Sequence, residues 1–554
     1  MHKIKYLVVL IMLLFVANIS AQQNFTRTAQ ITDPSMLERG FGEVLAGLDI
    51  DGDGWPEIYA INTNMVDGDY EVIPRIYKFE WNGTTWDSVW GATAPVDLQN
   101  TWPTLDIADL DGDGRPELVW TIVNYFSSNL NPYRILVYEY PADGSDNMGV
   151  SDGFGAFEPN AVYTIVTAPS LNVRPVRTVI HDIDNDGKDE IIFADRAAAS
   201  GGIHVGVIGV SDIPNLGGGT EVWTNKYLGS QSPELTGTGN KWDLFILNST
   251  IYLMDGLGNG TSRIYPVKFE NGNYTVLPYQ ENIVNGRSSF KGALTVDVNG
   301  DGTMEAIVPE WLDNTVGQGA KVWLVQVVGD TLVSTEIADF EPFGAVRLNG
   351  ADYGDLDADG NMDFVFGSRY DANNTARVPI FRLEYQGGDL TNMANWQASL
   401  LDSGYWASNG DMDVIAVGNL DGDAADEVIY TQGYSRGNAT DAPMPMIVLD
   451  LQFTPVSVKQ ESSSVPESFF VGQNYPNPFN PTTNIQFGLT ESARVELVVY
   501  DALGREVATL ISGQEFVAGS YSVNFDATNL ATGTYLYRLT ASGKSITKKM
   551  QLLK

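Results

Sequence analysis

DIDGDGWPEIYA, residues 49–60, sets three aspartates two places apart, a glycine at the sixth place, an acid at the ninth and an apolar run after it. The form D-x-D-x-D-G-x-x-E/D plus apolar residues returns as DLDGDGRPELVW from Asp109, DIDNDGKDEIIF from Asp182, DVNGDGTMEAIV from Asp297, DLDADGNMDFVF from Asp355 and NLDGDAADEVIY from Asn419. Recurrence at such intervals is the signature of a repeat architecture. The interval from Asp182 to Asp297 is about twice the others, and a degenerate copy falls inside it: DGLGNGTSRIYPV from Asp255, with Leu257, Asn259 and Arg263 at the third, fifth and ninth places. Seven copies result.

Each interval has room for about four strands of five or six residues with their loops. In the first unit, residues 43–50 lead into the acidic loop and 57–62 leave it. Residues 75–81 form a third strand, turned by Asn82-Gly83, and 85–90 a fourth. The stretch KFEWNGTTW near Lys78 recurs as KFENGNYTV near Lys268. No helical periodicity interrupts the units. Four antiparallel strands per repeat in a radial array make a β-propeller, so the expected fold is all-β, a seven-bladed propeller over residues 22–453. An open solenoid or a string of small domains is the alternative; a string would need linkers, and none separates the units. The Asn419 unit runs out of strands at Phe453, and an open ring leaves unpaired edges. NFTRTAQI, residues 24–31, is therefore expected to be the outer strand of that last unit.

The acidic loop has the ligand logic of a calcium site. Calcium takes six to eight hard oxygens, and side chains at places one, three and five, a backbone carbonyl at seven and an acid at nine supply them, with glycine at six for the sharp turn. The expected ligands are Asp49, Asp51, Asp53, Trp55 and Glu57; Asp109, Asp111, Asp113, Arg115 and Glu117; and Asp182, Asp184, Asp186, Lys188 and Glu190. Three further sets follow: Asp297, Asn299, Asp301, Thr303 and Glu305; Asp355, Asp357, Asp359, Asn361 and Asp363; and Asn419, Asp421, Asp423, Ala425 and Glu427. That makes up to six calcium sites, each joining two strands of a blade. The Asp255 copy is expected to be empty. Ala424 replaces the sixth-place glycine in the Asn419 loop, which predicts a strained turn there. Magnesium fits such all-protein cages less well.

These loops resemble the FG-GAP/VCBS repeat family, found in integrin α-subunit propellers and in many secreted bacterial proteins. The resemblance covers about residues 25–453. It implies a calcium-binding propeller, and it implies adhesion or ligand binding more often than catalysis.

The chain has 554 residues, 43% of them apolar, with 56 glycines and 25 prolines spread along its length, which suits many short strands joined by turns. Its 32 basic and 70 acidic residues give a net charge of −38, a field opposite to what nucleic acid needs. There is no cysteine, so disulfides, thiolate metal sites and cysteine nucleophiles are excluded. Residues 1–21 read as a signal peptide: Lys3 and Lys5 precede an apolar run over 6–17, and Ile19-Ser20-Ala21 offers a cleavage site. An uncleaved anchor is the alternative. No later segment is apolar enough to span a membrane.

Residues 454–467, TPVSVKQESSSVPE, read as a Ser/Pro-rich linker. Beyond it, alternating apolar runs between Gly and Asn turns predict a small seven-stranded, Ig-like sandwich over 468–554. NYPNPFNP (474–481), LGREV (503–507), GTYLYRL (533–539) and the terminal KKMQLLK are similar, in order, to the type A sorting domain of the type IX secretion system. That resemblance implies the type IX machinery as a partner, export across the outer membrane of a Gram-negative cell, and a secreted or cell-surface location.

No nucleophile elbow, zinc motif or phosphate loop is present. His181 precedes an acidic loop and reads as a strand end; His204, in GGIHVGVIG, reads as an alternating-strand residue. The expected function is binding of a glycan or protein ligand, with no catalytic residues. Trp102, Tyr125, Phe126 and Trp406 are candidates for stacking on a ligand, packing between blades being the alternative for each. A propeller-type polysaccharide lyase or glycosidase is the alternative function, with Asp69, Glu71 and Asp371 as positional candidates.

Overall fold

The computed structural model describes residues 25–32, 40–62, 74–82, 85–95, 102–123, 133–168, 171–196, 201–217, 219–236, 238–255, 263–284, 289–311, 319–345, 347–368, 379–402, 410–411, 414–431, 434–435, 445–451, 458–462, 465–466, 468–500, 506–527 and 532–554. The expected signal peptide lies outside them. The named elements are strands and short 3-10 turns, so the all-β expectation holds.

Four-stranded antiparallel sheets follow one another along the chain. The first is Phe41–Leu48, Glu57–Asn62, Arg75–Trp81 and Trp86–Thr93; the second is Thr104–Ala108, Glu117–Thr121, Ile135–Glu139 and Ala161–Tyr163. The third is Pro175–His181, Glu190–Asp195, Val205–Val210 and Trp223–Leu228. The fourth is Lys241–Leu247, Thr250–Asp255, Arg263–Glu270 and Asn273–Val276, with Gln280–Glu281 added beside the third strand. The fifth is Leu294–Val296, Glu305–Pro309, Lys321–Val328 and Thr331–Asp339; the sixth is Leu348–Gly354, Asp363–Ser368, Ile380–Tyr385 and Trp396–Asp402. The last is Val414–Gly418, Glu427–Thr431 and Met446–Leu451, completed by the N-terminal strand Phe25–Ile31.

The packing is propeller-like. Second strands such as Glu57–Asn62 and Glu190–Asp195 are buried at every position, because both faces of each sheet meet a neighbouring sheet. Apolar clusters join each sheet to the next. Tyr59 and Trp90 of the first pack with Leu118 and Trp120 of the second, and Ile31, Val414 and Met446 of the last pack with Phe41 and Ile58 of the first. First strands touch around a common axis, where the last and first come closest. A Cβ on Gly418 would lie 2.5 Å from the Ala46 carbonyl oxygen, so a side chain is excluded at that contact.

Phe25–Ile31 pairs antiparallel with Met446–Leu451, Phe25 opposite Leu451 and Ile31 opposite Met446, as expected for the N-terminal segment. Arg27 adds a fork to Asp402 of the sixth sheet, 2.8 Å on each arm, and Tyr430 donates to the same carboxylate at 2.8 Å.

The fourth sheet corrects one expectation. Its first two strands are joined by Asn248 and Ser249, at φ 49° and 56°, the positive pair that a two-residue type I′ hairpin requires. This turn stands where the other sheets carry the acidic loop. Asp255 sits at the opposite end of the second strand and is no degenerate loop of that series. Its carboxylate accepts from Lys241 Nζ at 2.9 Å, and that fully buried ammonium also donates to Thr238 Oγ1 and the Gly239 carbonyl.

The C-terminal part consists of two four-stranded sheets. One runs Val458–Ser462, Gly519–Asp526, Thr482–Leu489, Phe470–Val471; the other runs Glu506–Phe516, Ala493–Tyr500, Gly533–Ala541, Lys544–Leu552. They share a core that includes Phe479, Ile485, Leu497, Tyr537 and Leu552. The described residues form eight strands where the sequence suggested seven. Val458–Ser462, inside the stretch read as linker, pairs along Gly519–Asp526 and covers an edge that would otherwise be free. The NYPNPFNP stretch is tied to the chain's last strand: Phe479 N–H donates to the Gln551 carbonyl at 2.9 Å, and Leu553 N–H to the Phe479 carbonyl at 2.9 Å.

Removing residues 22–32 from the otherwise complete mature chain leaves the Met446–Leu451 edge bare, and is expected to lower the thermal midpoint by about 5 °C or more; an unchanged midpoint would count against the closing strand. Asp255→Ala strands the Lys241 ammonium in the core, and is expected to cost about 3 kcal/mol in urea titration. Lys241→Met in the same background should recover part of that loss.

Candidate metal centres

The acidic loops are wired alike by their own side chains. The first-place carboxylate accepts the sixth-place N–H: Gly54 on Asp49 at 3.2 Å, Gly114 on Asp109 at 3.0 Å, Gly187 on Asp182 at 3.0 Å, Gly302 on Asp297 at 2.8 Å and Gly360 on Asp355 at 2.9 Å. The fifth-place Asp accepts the seventh-place N–H in all six, from Trp55, Arg115, Lys188, Thr303, Asn361 and Ala425, at 2.8–2.9 Å. These Asx turns gather the carboxylates before any ion is considered.

Sixth-place glycines have positive φ, 90° at Gly54 and 88° at Gly114. The fourth place is left-handed as well, through Gly52, Gly112, Asn185, Gly300, Ala358 and Gly422. Sequence reading missed that second requirement, although a glycine or asparagine at place four in five of six copies is a legible signal. Ala424 does not share the positive φ of its counterparts, so the strained turn expected there is not found. That loop is held instead by Asn419, whose Oδ1 accepts from Gly422 N–H at 2.7 Å and whose Nδ2 donates to the Asp423 carbonyl at 2.6 Å.

The ninth-place acid does two jobs. One of its oxygens accepts the second-place N–H in every loop: Ile50 to Glu57, Leu110 to Glu117, Ile183 to Glu190, Val298 to Glu305, Leu356 to Asp363 and Leu420 to Glu427. The other oxygen differs from loop to loop. Lys78 Nζ lies 2.6 Å from Glu57 and also meets Asp51 at 2.6 Å and Asp146 at 2.9 Å. Lys226 Nζ lies 2.5 Å from Glu190 and 2.9 Å from both Asp184 and Asp186. Arg382 pairs with Asp363 at 2.6 Å and Asp357 at 2.7 Å. In the Asp297 loop the partners are neutral amides, Gln326 on Glu305 at 3.4 Å and Asn299 on Asp301 at 3.1 Å. The second oxygens of Glu57, Glu117 and Glu427 are all buried without a geometrically good hydrogen bond, but that of Glu57 has Lys78 as its ion partner, whereas no ion pair is found for Glu117 or Glu427 among the described residues.

The clusters follow this division in the first, second and sixth sheets, but not in the third. Ligand oxygens of Asp109, Asp111, Asp113 and Glu117 lie within 4.8 Å of one another. In the Asp49 and Asp355 loops the three aspartates gather without the ninth-place acid; in the third loop Asp182, Asp184 and Glu190 gather. Burial, with the charges of Asp111, Glu139 and Asp109, pushes Glu117 up to about 9. Burial, with Asp421, Asp423 and Asp450, does the same to Glu427. Glu190 and Asp363, also buried but beside a cation, reach about 7. None of the three cations was singled out from the sequence. Lys78 lay inside a noticed repeat, but its counterpart Lys268 belongs to the fourth sheet, whose first two strands are joined without an acidic loop, and it meets Glu270 at 3.4 Å.

The opposite ends of the first and second strands gather aromatics. Trp102 meets Trp242 edge-on with ring centres 5.7 Å apart, Trp242 lies 5.1 Å from Phe290, and Phe290 lies 6.2 Å from Trp311. The Arg196 guanidinium covers Trp102 at 4.2 Å and Trp242 at 4.5 Å, and Arg347 covers Trp311 at 5.0 Å. Of the stacking candidates, Trp102 belongs to this group; Tyr125, Phe126 and Trp406 lie outside the described residues, as do Asp69, Glu71 and Asp371. Just below, the axis is crossed by Lys291, which bonds Glu43 at 3.0 Å and the Pro103 carbonyl at 2.9 Å. Asp243 accepts from the N–H groups of Gly292 and Ala293 at 2.8 and 3.0 Å. His181 ends its strand, as expected. His204 precedes its strand at φ 57°, and burial lowers it to about 4, leaving it neutral.

No curated protein matches the chain. Among solved structures, an α-L-arabinanase of Penicillium chrysogenum complexed with arabinobiose is 11% identical, with TM-score 0.36 over 78% of this chain and 99% of that one. A Bombyx mori β-fructofuranosidase is 10% identical, with TM-score 0.32 over 96% of this chain and 95% of that one. Likenesses this loose carry no reading of activity. Family models are more specific: an FG-GAP-like repeat matches residues 49–120, and a secretion system C-terminal sorting domain matches residues 473–552. The chain thus carries an FG-GAP-like repeat within a propeller-like array of sheets and ends in a type IX C-terminal sorting domain, which makes it a secreted or cell-surface protein.

Proposed function

We propose that this is a calcium-binding, seven-bladed β-propeller over residues 22–453, carried out of the cell by an Ig-like sorting domain and acting there as an adhesion or ligand-binding module for a glycan or a protein. The adhesive reading rests on the aromatic and arginine cluster where Trp102, from the second sheet, meets the largely buried Trp242, Phe290 and Trp311 of the fourth and fifth. Flat rings beside guanidinium groups suit sugar faces and peptide side chains alike. The carboxylates described beneath that cluster serve structure: Asp243 is held by two backbone N–H groups, and Glu43 is paired with Lys291.

Calcium is supported by chemistry at the other end. The Asp109 cluster brings four carboxylates within 4.8 Å, one of them buried with an oxygen facing no donor, which fits a hard divalent cation. Bound calcium would neutralise that repulsion, and Asp109, Asp111, Asp113 and Glu117 would hold it.

Thermal melts of the mature chain in millimolar calcium and in chelator are expected to differ by at least the effect of one loaded site, about 2.7 kcal/mol at 100-fold excess over the dissociation constant. Coincident melts would remove calcium from this reading. Glycan and protein arrays should yield a ligand whose affinity Trp102→Ala lowers about tenfold or more. Turnover in a screen of polysaccharides would replace the binding reading with a lyase or glycosidase.

A further inference from the structure

We propose that the acidic loops are two kinds of site: Lys78, Lys226 and Arg382 are resident counter-cations of the Asp49, Asp182 and Asp355 loops, and the Asp109 loop, whose ninth-place acid faces no cation, is of the kind built to depend on calcium. This rests on the calcium reading above and divides it.

The loops share their turns, so the difference lies in what faces the ninth-place acid. Lys78 stands on the third strand opposite Tyr59, two residues past Glu57. The corresponding position in the second sheet is Val137, opposite Val119, two residues past Glu117. An ammonium fills the first sheet's position and a buried valine the second's. Arg115, the nearby cation of the Asp109 loop, lies at the rim, 3.3 Å from Glu139 and 3.8 Å from Asp113, and does not reach Glu117. Glu117 is therefore completely buried, bound through one oxygen to Leu110 N–H at 2.6 Å, with the other facing its three aspartates and no donor.

The consequences have opposite signs. Glu57 is one of the carboxylates that neutralise Lys78, so removing its charge takes one short ion pair from a buried ammonium and leaves it Asp51 and Asp146. Glu117 has no counter-cation, so replacing it with an amide removes an uncompensated buried acid when no metal is bound and removes a ligand when calcium is present. The cation, on the third strand for Lys78 and Arg382 and on the fourth for Lys226, thus sets how much charge each loop leaves for the ion.

The experiment uses the mature chain with Glu57→Gln and Glu117→Gln, melted in chelator and titrated with calcium by calorimetry. In chelator, Glu117→Gln should melt higher than the parent by about 2 °C or more, and Glu57→Gln lower by at least as much. In calcium, Glu117→Gln should weaken one tight site about 100-fold and Glu57→Gln none. Lys78→Met, which frees Asp51 and Glu57, should add a tight site. Melting shifts of the same sign, or loss of the same site by both variants, would overturn the proposal. A parent chain that binds no calcium would overturn the reading beneath it, whereas opposite shifts in chelator would still support the resident cations.

Discussion

Every sheet around the axis has a neighbour on each face, so the array has no apolar face left over only if its last sheet meets its first. Much else follows from that closure. Second strands such as Glu190–Asp195 are buried on both sides and read as continuous apolar runs rather than alternating ones. The first strands crowd so closely at the seam that Gly47 and Gly418 have no room for a Cβ. The last sheet lacks a fourth strand of its own, and the N-terminal strand supplies it, with Arg27 latched to Asp402 beside the seam. Chain ends held in this way make local opening of the last sheet costly, because it must break pairing at both ends of the sequence.

Closure also explains the loop chemistry. A second strand buried from its first residue carries its ninth-place carboxylate into the interior, where an unpaired charge is expensive. One oxygen is always satisfied by the loop's own second N–H. The remaining oxygen is left to whatever the third and fourth strands present, and the sheets present different things: lysine, arginine, glutamine or nothing. A repeat uniform in sequence is therefore not uniform in electrostatics. The fourth sheet goes furthest, replacing the loop with a two-residue turn and spending its acid, Asp255, on a buried lysine at the other end.

The two ends of the array thus differ in kind. One carries the acidic loops; the other carries tryptophans under arginine, above an axis crossed by Lys291. The C-terminal sheets form a separate core, and their motif residues bind the final strand of the chain, so the sorting element depends on its own last residues for its shape.

The sequence by itself determined whatever depends on neighbours a few residues away. The D-x-D-x-D-G spacing fixes Asx turns within nine residues, so the six loops were legible. The first sheet's strands follow from apolar runs between turns, with Glu57–Asn62 and Arg75–Trp81 found where they were expected. The closing strand was legible too, because the last unit visibly lacked a strand. Tertiary structure alone decided what depends on distant partners. Lys78 reaches Asp51 across 27 residues, Arg382 reaches Asp357 across 25, and Lys226 reaches Asp184 across 42. No local pattern distinguishes those cations from solvated ones. The displaced role of Asp255 and the strand hidden in the 454–467 stretch were decided in the same way, by an opposing chain segment that only the folded sheets bring alongside.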